Sequence, residues 1–172
     1  GLNEYVASIN KRYKLGNATE HTYRGDLEHL IEAIVPDVSA TNEPKRIKCG
    51  APDYVLMRRD IPVGFIEAKD IGDKDLSGTN KKGHKEQFDR YKAALNNLMF
   101  TDYLDFHLYI DGEFVTKVAI AEVREGQIVA LPENFATFTN LLTDFCVHVS
   151  QTITSSKKLA EMMAGKARML SD

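Results

Sequence analysis

The chain is expected to fold as an α/β domain, with a central sheet flanked by helices. Three features point there: a helical apolar stripe before the first strands, short β-rich segments divided by a second stripe, and turn dipeptides between strands. At 172 residues the chain suits one core better than two. The expected boundaries are 1–150 for the main domain and 151–172 for a C-terminal helical extension or linker toward an absent module.

Each element follows from its own pattern. Glu20 to Val35 repeats Tyr23, Leu27, Leu30, Ile31 and Ile34 at three- and four-residue spacing, which is one face of a helix. Asn17 or Thr19 could cap it, and Pro36 ends it. Asp53 to Arg59 and Val63 to Asp70 are β-rich and short, so they form a hairpin with Asp60-Ile61-Pro62 as the turn. Ile71 to Gly83 is rich in Gly, Asp, Lys and Ser, the composition of a mobile surface loop. His84 to Leu98 places Phe88, Tyr91, Leu95 and Leu98 on one helical face, expected to pack on the sheet. Phe106 to Ile110 and Glu113 to Val123 are strands joined by Asp111-Gly112, and Glu125-Gly126 turns the chain into Gln127 to Leu131. Glu133 to Val149 and Ser155 to Leu170 complete the chain as two helices.

Composition narrows the function. Hydrophobic content of 43% and charged content of 27% fit neither a disordered nor a fibrous chain. No apolar run is long enough for a membrane span, and the first residues given lack the basic-then-apolar layout of a secretory signal, so a cytoplasmic protein is expected. Cys49 and Cys146 are isolated, which excludes a disulfide framework or zinc finger as the organising principle. None of the five histidines has metal-ligand spacing, and no GxxxxGK[ST] loop or dinucleotide fingerprint occurs. The net charge of −3 does not announce a nucleic-acid binder, but the lysines are clustered. Lys45, Arg46 and Lys48 form one group, Lys74, Lys81, Lys82 and Lys85 a second, and Lys157, Lys158, Lys166 and Arg168 a third. The second group, in the loop after the hairpin, is the candidate DNA-contacting set.

The hairpin carries the chemistry. Centred on Asp60, it sets Asp53 opposite Glu67, with side chains about 5 Å apart, a pairing of like charges that destabilises a sheet unless compensated. Strand alternation puts Lys69 on the same face as Glu67. Two carboxylates on a rigid hairpin suit magnesium, which takes one or two carboxylates plus waters and phosphate oxygens. A lone ExK triplet would read as an exposed ion pair on a solvated sheet face, with Asp53 a turn residue; its company argues otherwise.

The run Cys49-Gly50-Ala51-Pro52-Asp53-Tyr54-Val55, followed by Gly64-Phe65-Ile66-Glu67-Ala68-Lys69, resembles the PD-(D/E)xK nuclease signature, and Gln87 with Tyr91 resembles its QxxxY helix motif. TEHTYRGDL, NEPKRIKCGAPDYVL, GFIEAKDIG and LMFTDYLDFHLYIDGEFV are similar to the amino-terminal nuclease domain of single-polypeptide restriction-modification enzymes, from about Thr19 to Ile120. The resemblance extends more loosely into LAEMMAGKARML.

The resemblance implies a restriction-endonuclease-like core of helix, three strands, helix and strand, with a mixed sheet. It implies Asp53, Glu67 and the carbonyl of Ala68 as ligands of Mg2+, with Mn2+ able to substitute, and Lys69 as the catalytic lysine. It places Gln87 and Tyr91 beside the site, although Tyr91 reads equally well as core. It often adds a glutamate from the first helix: Glu20 lies seven residues before Leu27, on the buried side, whereas Glu28 lies about 100° away, so Glu20 is preferred. The implied partners are DNA, methyltransferase and target-recognition modules of a larger polypeptide, and a second copy for double-strand cleavage. A repair or junction-resolving nuclease on the same fold, and an inactive DNA-binding or scaffold domain, are the other readings.

Overall fold

The computed structural model describes residues 1–16, 20–42, 52–73, 75–76 and 82–147. Its first helix, α1 (Leu2–Lys14), has no counterpart in the sequence reading. The buried face is only Tyr5, Val6 and Ile9, too few apolar residues for a strong stripe. Tertiary contacts hold it instead. Tyr5 Oη donates to the Tyr103 carbonyl at 2.7 Å, and Ser8 and Arg12 both donate to Asp26 of the next helix, α2 (Glu20–Ile34). α2 buries Tyr23, Leu27, Leu30 and Ile31, the stripe read from the sequence. Its proposed caps, Asn17 and Thr19, lie outside the described residues.

Six strands follow: β1 (Val38–Asn42), β2 (Tyr54–Arg58), β3 (Ile61–Ala68), β4 (Asn97–Thr101), β5 (Asp105–Ile110) and β6 (Glu113–Ala119), in that spatial order. All neighbours are antiparallel except β3 and β4, which run parallel, so the sheet is mixed. The parallel step needs a crossover, and α3 (Lys82–Ala94) lies within it. A separate hairpin, β7 (Ala121–Arg124) and β8 (Gln127–Ala130), and a final helix, α4 (Phe135–Phe145), complete the described fold. From α2 to β4 the order is helix, three strands, helix and strand, the restriction-endonuclease-like arrangement.

The sheet separates two apolar clusters. Tyr54, Leu56, Ile66, Ala68 and Met99 pack with α1, α2 and α4, while Phe65, Leu98, Phe100 and Tyr109 pack with Phe88, Tyr91 and Leu95 on the α3 side. Phe88 stacks on Phe100, centroids 4.0 Å apart. Strand alternation thus sends Phe65 and Glu67 toward α3, and Ile66 and Ala68 the other way.

Several boundaries differ from the sequence reading. The helix expected to reach Leu98 ends at Ala94, and Leu98 belongs to β4. β4 is buried at all five positions, and a strand covered on both faces shows no alternation to betray it. The strand expected over Glu113 to Val123 breaks at Ile120, whose amide donates to the Leu104 carbonyl, and β7 starts afresh. Glu133 to Val149 shortens to α4 behind a 3-10 turn, Pro132–Asn134. The loop after β3 is anchored at its start: Asp102 accepts from the Gly72 amide at 3.1 Å, and Leu76 is buried in the α3-side cluster. The segment Ser155 to Leu170 lies outside the described residues. Asp111-Gly112 and Glu125-Gly126 make the expected turns, all four residues at φ between 51° and 82°.

Candidate active site

The β2–β3 hairpin is not quite the one expected, yet it delivers the expected pairing. Its turn is Arg59-Asp60, with Arg59 at φ 57°; Ile61 and Pro62 already belong to β3. Pro62 is tolerated because β4 pairs with β3 only from Phe65 onward, leaving that stretch with an open edge. A turn so placed would move the register by one. A bulge restores it: Leu56 pairs with Gly64 and Met57 with Pro62, so Val63 is the extra residue. Beyond the bulge Tyr54 faces Ile66, which brings Asp53 beside Glu67.

The two carboxylates are interlocked through the backbone. Asp53 N–H donates to Glu67 Oε1 at 3.1 Å, and Ala68 N–H donates to Asp53 Oδ2 at 2.8 Å. Lys69 Nζ donates to Glu67 Oε2 at 3.3 Å and to Gln87 Oε1 at 3.1 Å, and lies 5.3 Å from the centroid of the Phe88 ring. Gln87 Nε2 in turn donates to Tyr91 Oη at 3.3 Å. The side chains of Glu67, Lys69, Gln87 and Tyr91 are thus linked in series, and Asp53 joins them through its backbone amide on Glu67 and its carboxylate on the Ala68 amide.

Burial separates this network from an ordinary surface ion pair. The Glu67 side chain is only 6% exposed and that of Lys69 14%. Burial is the main influence raising the Glu67 carboxyl well above its usual range; the Asp53 charge adds to it and Lys69 opposes it. Tyr91 is likewise held in its neutral form by burial, then by the Glu67 and Asp53 charges. Tyr91 is thus core and also a member of this network.

Sequence reasoning misses one participant. Arg24, on α2, donates from Nη2 to Asp53 Oδ1 at 2.8 Å, and its carbonyl accepts from Tyr54 Oη at 2.9 Å. Setting Glu20 against Glu28 on this helix passes over the arginine four residues after Glu20. That spacing, which puts positions 20 and 24 on one face, is the signal that could have found it. The Glu20 side chain lies outside the described structure, as do Lys74, Lys81 and the Lys82 side chain. Lys85 is exposed and pairs with Asp89 one turn on, at 2.6 Å.

The donor set decides which ions could fit. Among the described residues no three His, Cys, Asp or Glu side chains come together, which is what a closed zinc site would use. Two adjacent carboxylates suit a hard cation that keeps waters or substrate oxygens for its other positions.

No family model matches the chain, and no curated protein matches it. Among solved structures, it is similar to a chain in the cryo-electron microscopy structure of a DrdV–DNA complex, with a TM-score of 0.59 at 18% identity. The match covers 85% of this chain and 13% of that one, so this chain spans a small part of that protein's length. What the two share is a restriction-endonuclease-like α/β fold.

Proposed function

We propose that this chain is a magnesium-dependent endodeoxyribonuclease domain that hydrolyses phosphodiester bonds. The observation that carries the reading is the shielded network in which Asp53 and Glu67 stand side by side, with Lys69 on Glu67 and Gln87 on Lys69. Leaving two carboxylates adjacent and largely dehydrated is costly for stability, so a site of this kind is a functional candidate. Asp53, Glu67 and the Ala68 carbonyl would hold the cation. When bound, a divalent ion supplies Lewis acidity toward the phosphodiester and acidifies water.

The protein groups have separate tasks. Glu67 and Gln87 hold the Lys69 ammonium by two acceptors, so it points at a fixed place rather than sampling solvent. From there it can donate to an attacking water or to an oxygen gaining negative charge. Tyr91 fixes the Gln87 amide, which sets which end faces the lysine. DNA would be the substrate, engaged through phosphate contacts from Lys74, Lys81, Lys82 and Lys85. The restriction-modification resemblance, and the small share of the DrdV chain that is matched, favour a cleavage module within a larger polypeptide carrying methyltransferase and target-recognition parts.

The test is a supercoiled plasmid incubated with purified chain, with Mg2+ or Mn2+, and with chelator. Nicked circles are expected before linear product, since one active site cuts one strand at a time. No cutting by the wild-type chain, or equal cutting by Asp53→Ala, would remove the reading.

A further inference from the structure

The carboxylate pair has a second cation besides Lys69. Arg24 Nη2 lies 2.8 Å from Asp53 Oδ1, with side-chain exposures of 21% and 16%, so the pair is largely shielded from water. The helix bearing it is tied down locally, because the Arg24 carbonyl accepts from Tyr54 Oη and Tyr54 is fully buried beside Asp53. The other Asp53 oxygen already accepts from the Ala68 amide.

Among the described side chains, these two carboxylates therefore face two cations. A divalent cation entering between Asp53 and Glu67 would add two positive charges beside the two already there, where little water screens them. Either a cation retreats or an anion arrives. Lys69 packs near the Phe88 ring at 14% exposure, whereas Arg24, on the other carboxylate, meets Asp53 Oδ1 at 21% and is the more exposed. A phosphodiester brings one negative charge, and a guanidinium released from Asp53 is shaped to take two phosphate oxygens.

We propose that Arg24 is a positioning residue that occupies Asp53 as a stand-in cation, lowering the site's affinity for divalent metal until a phosphodiester enters with it. This rests on the metal-nuclease reading above. It makes metal loading depend on substrate.

The experiment titrates Mn2+ into the full chain, following free Mn2+ by electron paramagnetic resonance. It is run with and without a short phosphorothioate DNA duplex, which resists hydrolysis. Wild type should bind Mn2+ weakly alone and more tightly with the duplex. Arg24→Gln and Arg24→Met should each bind Mn2+ alone on the order of tenfold more tightly, and gain less from DNA. Arg24→Lys, which keeps the charge, should stay near wild type. A merely structural arginine predicts the opposite sign, since loosening the site weakens metal binding. Unchanged or weaker Mn2+ affinity in the two neutral variants, with wild-type binding that Asp53→Ala abolishes, would overturn the inference and leave the metal site standing. Failure of both neutral variants to fold, judged by circular dichroism, would also overturn it, by showing Arg24 to be a structural cation. No Mn2+ uptake by wild type even with DNA, or unchanged uptake by Asp53→Ala, would instead remove the metal-nuclease reading and the inference with it.

Discussion

Glu67 is buried beside a second carboxylate, and its behaviour with pH follows. Its carboxyl is raised chiefly by burial, so the metal-free fold holds a proton there more readily than the unfolded chain does. A group raised in the folded state contributes stability that is complete below its unfolded pKa and is lost as pH rises through the folded value. In chelator, wild type should therefore lose stability relative to Glu67→Gln as pH rises, a difference visible in paired thermal melts. Protons and metal compete for the same carboxylate, so the metal-induced rise in melting temperature should grow with pH in wild type and stay flat in Glu67→Gln. Lys69 sets a second expectation at this scale. Lys69→Ala removes the donor aimed by Glu67 and Gln87, and should cost cleavage on the order of a hundredfold or more. Its far-ultraviolet dichroism should remain that of wild type, and substantial residual cutting in a nuclease-free preparation would contradict the assigned role.

The bulge in β3 is the element on which the site's register depends. Asn97, at the start of β4, donates from Nδ2 to the Val63 carbonyl at 2.8 Å and to the Phe145 carbonyl at 2.6 Å, tying the bulge to the end of α4. Beside it, Gly64 is overlain by the Phe145 ring, and a Cβ there would sit 2.4 Å from Cε1. Only glycine permits that approach. Gly64→Ala should destabilise the fold by about 1–3 kcal/mol through overpacking, measured by urea unfolding. Because positions 64 and 145 touch, combining Gly64→Ala with Phe145→Leu should cost less than the two single changes added together. Full additivity would mean the clash is relieved elsewhere. If the bulge shifts, Asp53 moves relative to Glu67, so metal binding should fall in Gly64→Ala by more than the stability loss alone explains.

For the whole molecule, metal is expected to act as a stabilising ligand. A cation that binds only the folded state at a hundred times its dissociation constant adds about 2.7 kcal/mol. Mg2+ or Mn2+ should thus raise the wild-type melting temperature and leave Asp53→Ala unmoved; equal stabilisation of both would place the ion elsewhere. With a net charge of −3, the proposed DNA binding would have to come from local lysines. Alanine at Lys81, Lys82 and Lys85 should flatten the dependence of binding on salt, by about 0.9 in slope for each phosphate no longer neutralised, without changing where cuts occur. Among the described residues no helix is long and apolar enough to cross a membrane.

Local pattern makes much of this protein legible. The α2 stripe, the two Gly-containing turns and the ExK triplet at the end of the second hairpin strand are all readable, because amphipathic periodicity and turn chemistry are written in neighbouring residues. The pairing of Asp53 with Glu67 is readable too, although through a turn placed too late; the real turn at Arg59-Asp60 reaches the same register only through the Val63 bulge. Such a bulge has no local signature here, since it depends on Asn97 and Phe145 holding it from afar. β4 escapes notice because it is buried on both faces, and α1 because it is held by distant partners: Tyr5 on the Tyr103 carbonyl, Ser8 and Arg12 on Asp26, and packing against β8. Arg24 is only half legible: its spacing from Glu20 puts it on the candidate face of α2, but packing alone shows that it meets Asp53. Which residue types could do the chemistry was determined by sequence alone; how far they are dehydrated, and which cation stands against which carboxylate, was decided by tertiary packing, because burial and charge pairing are set by neighbours distant along the chain.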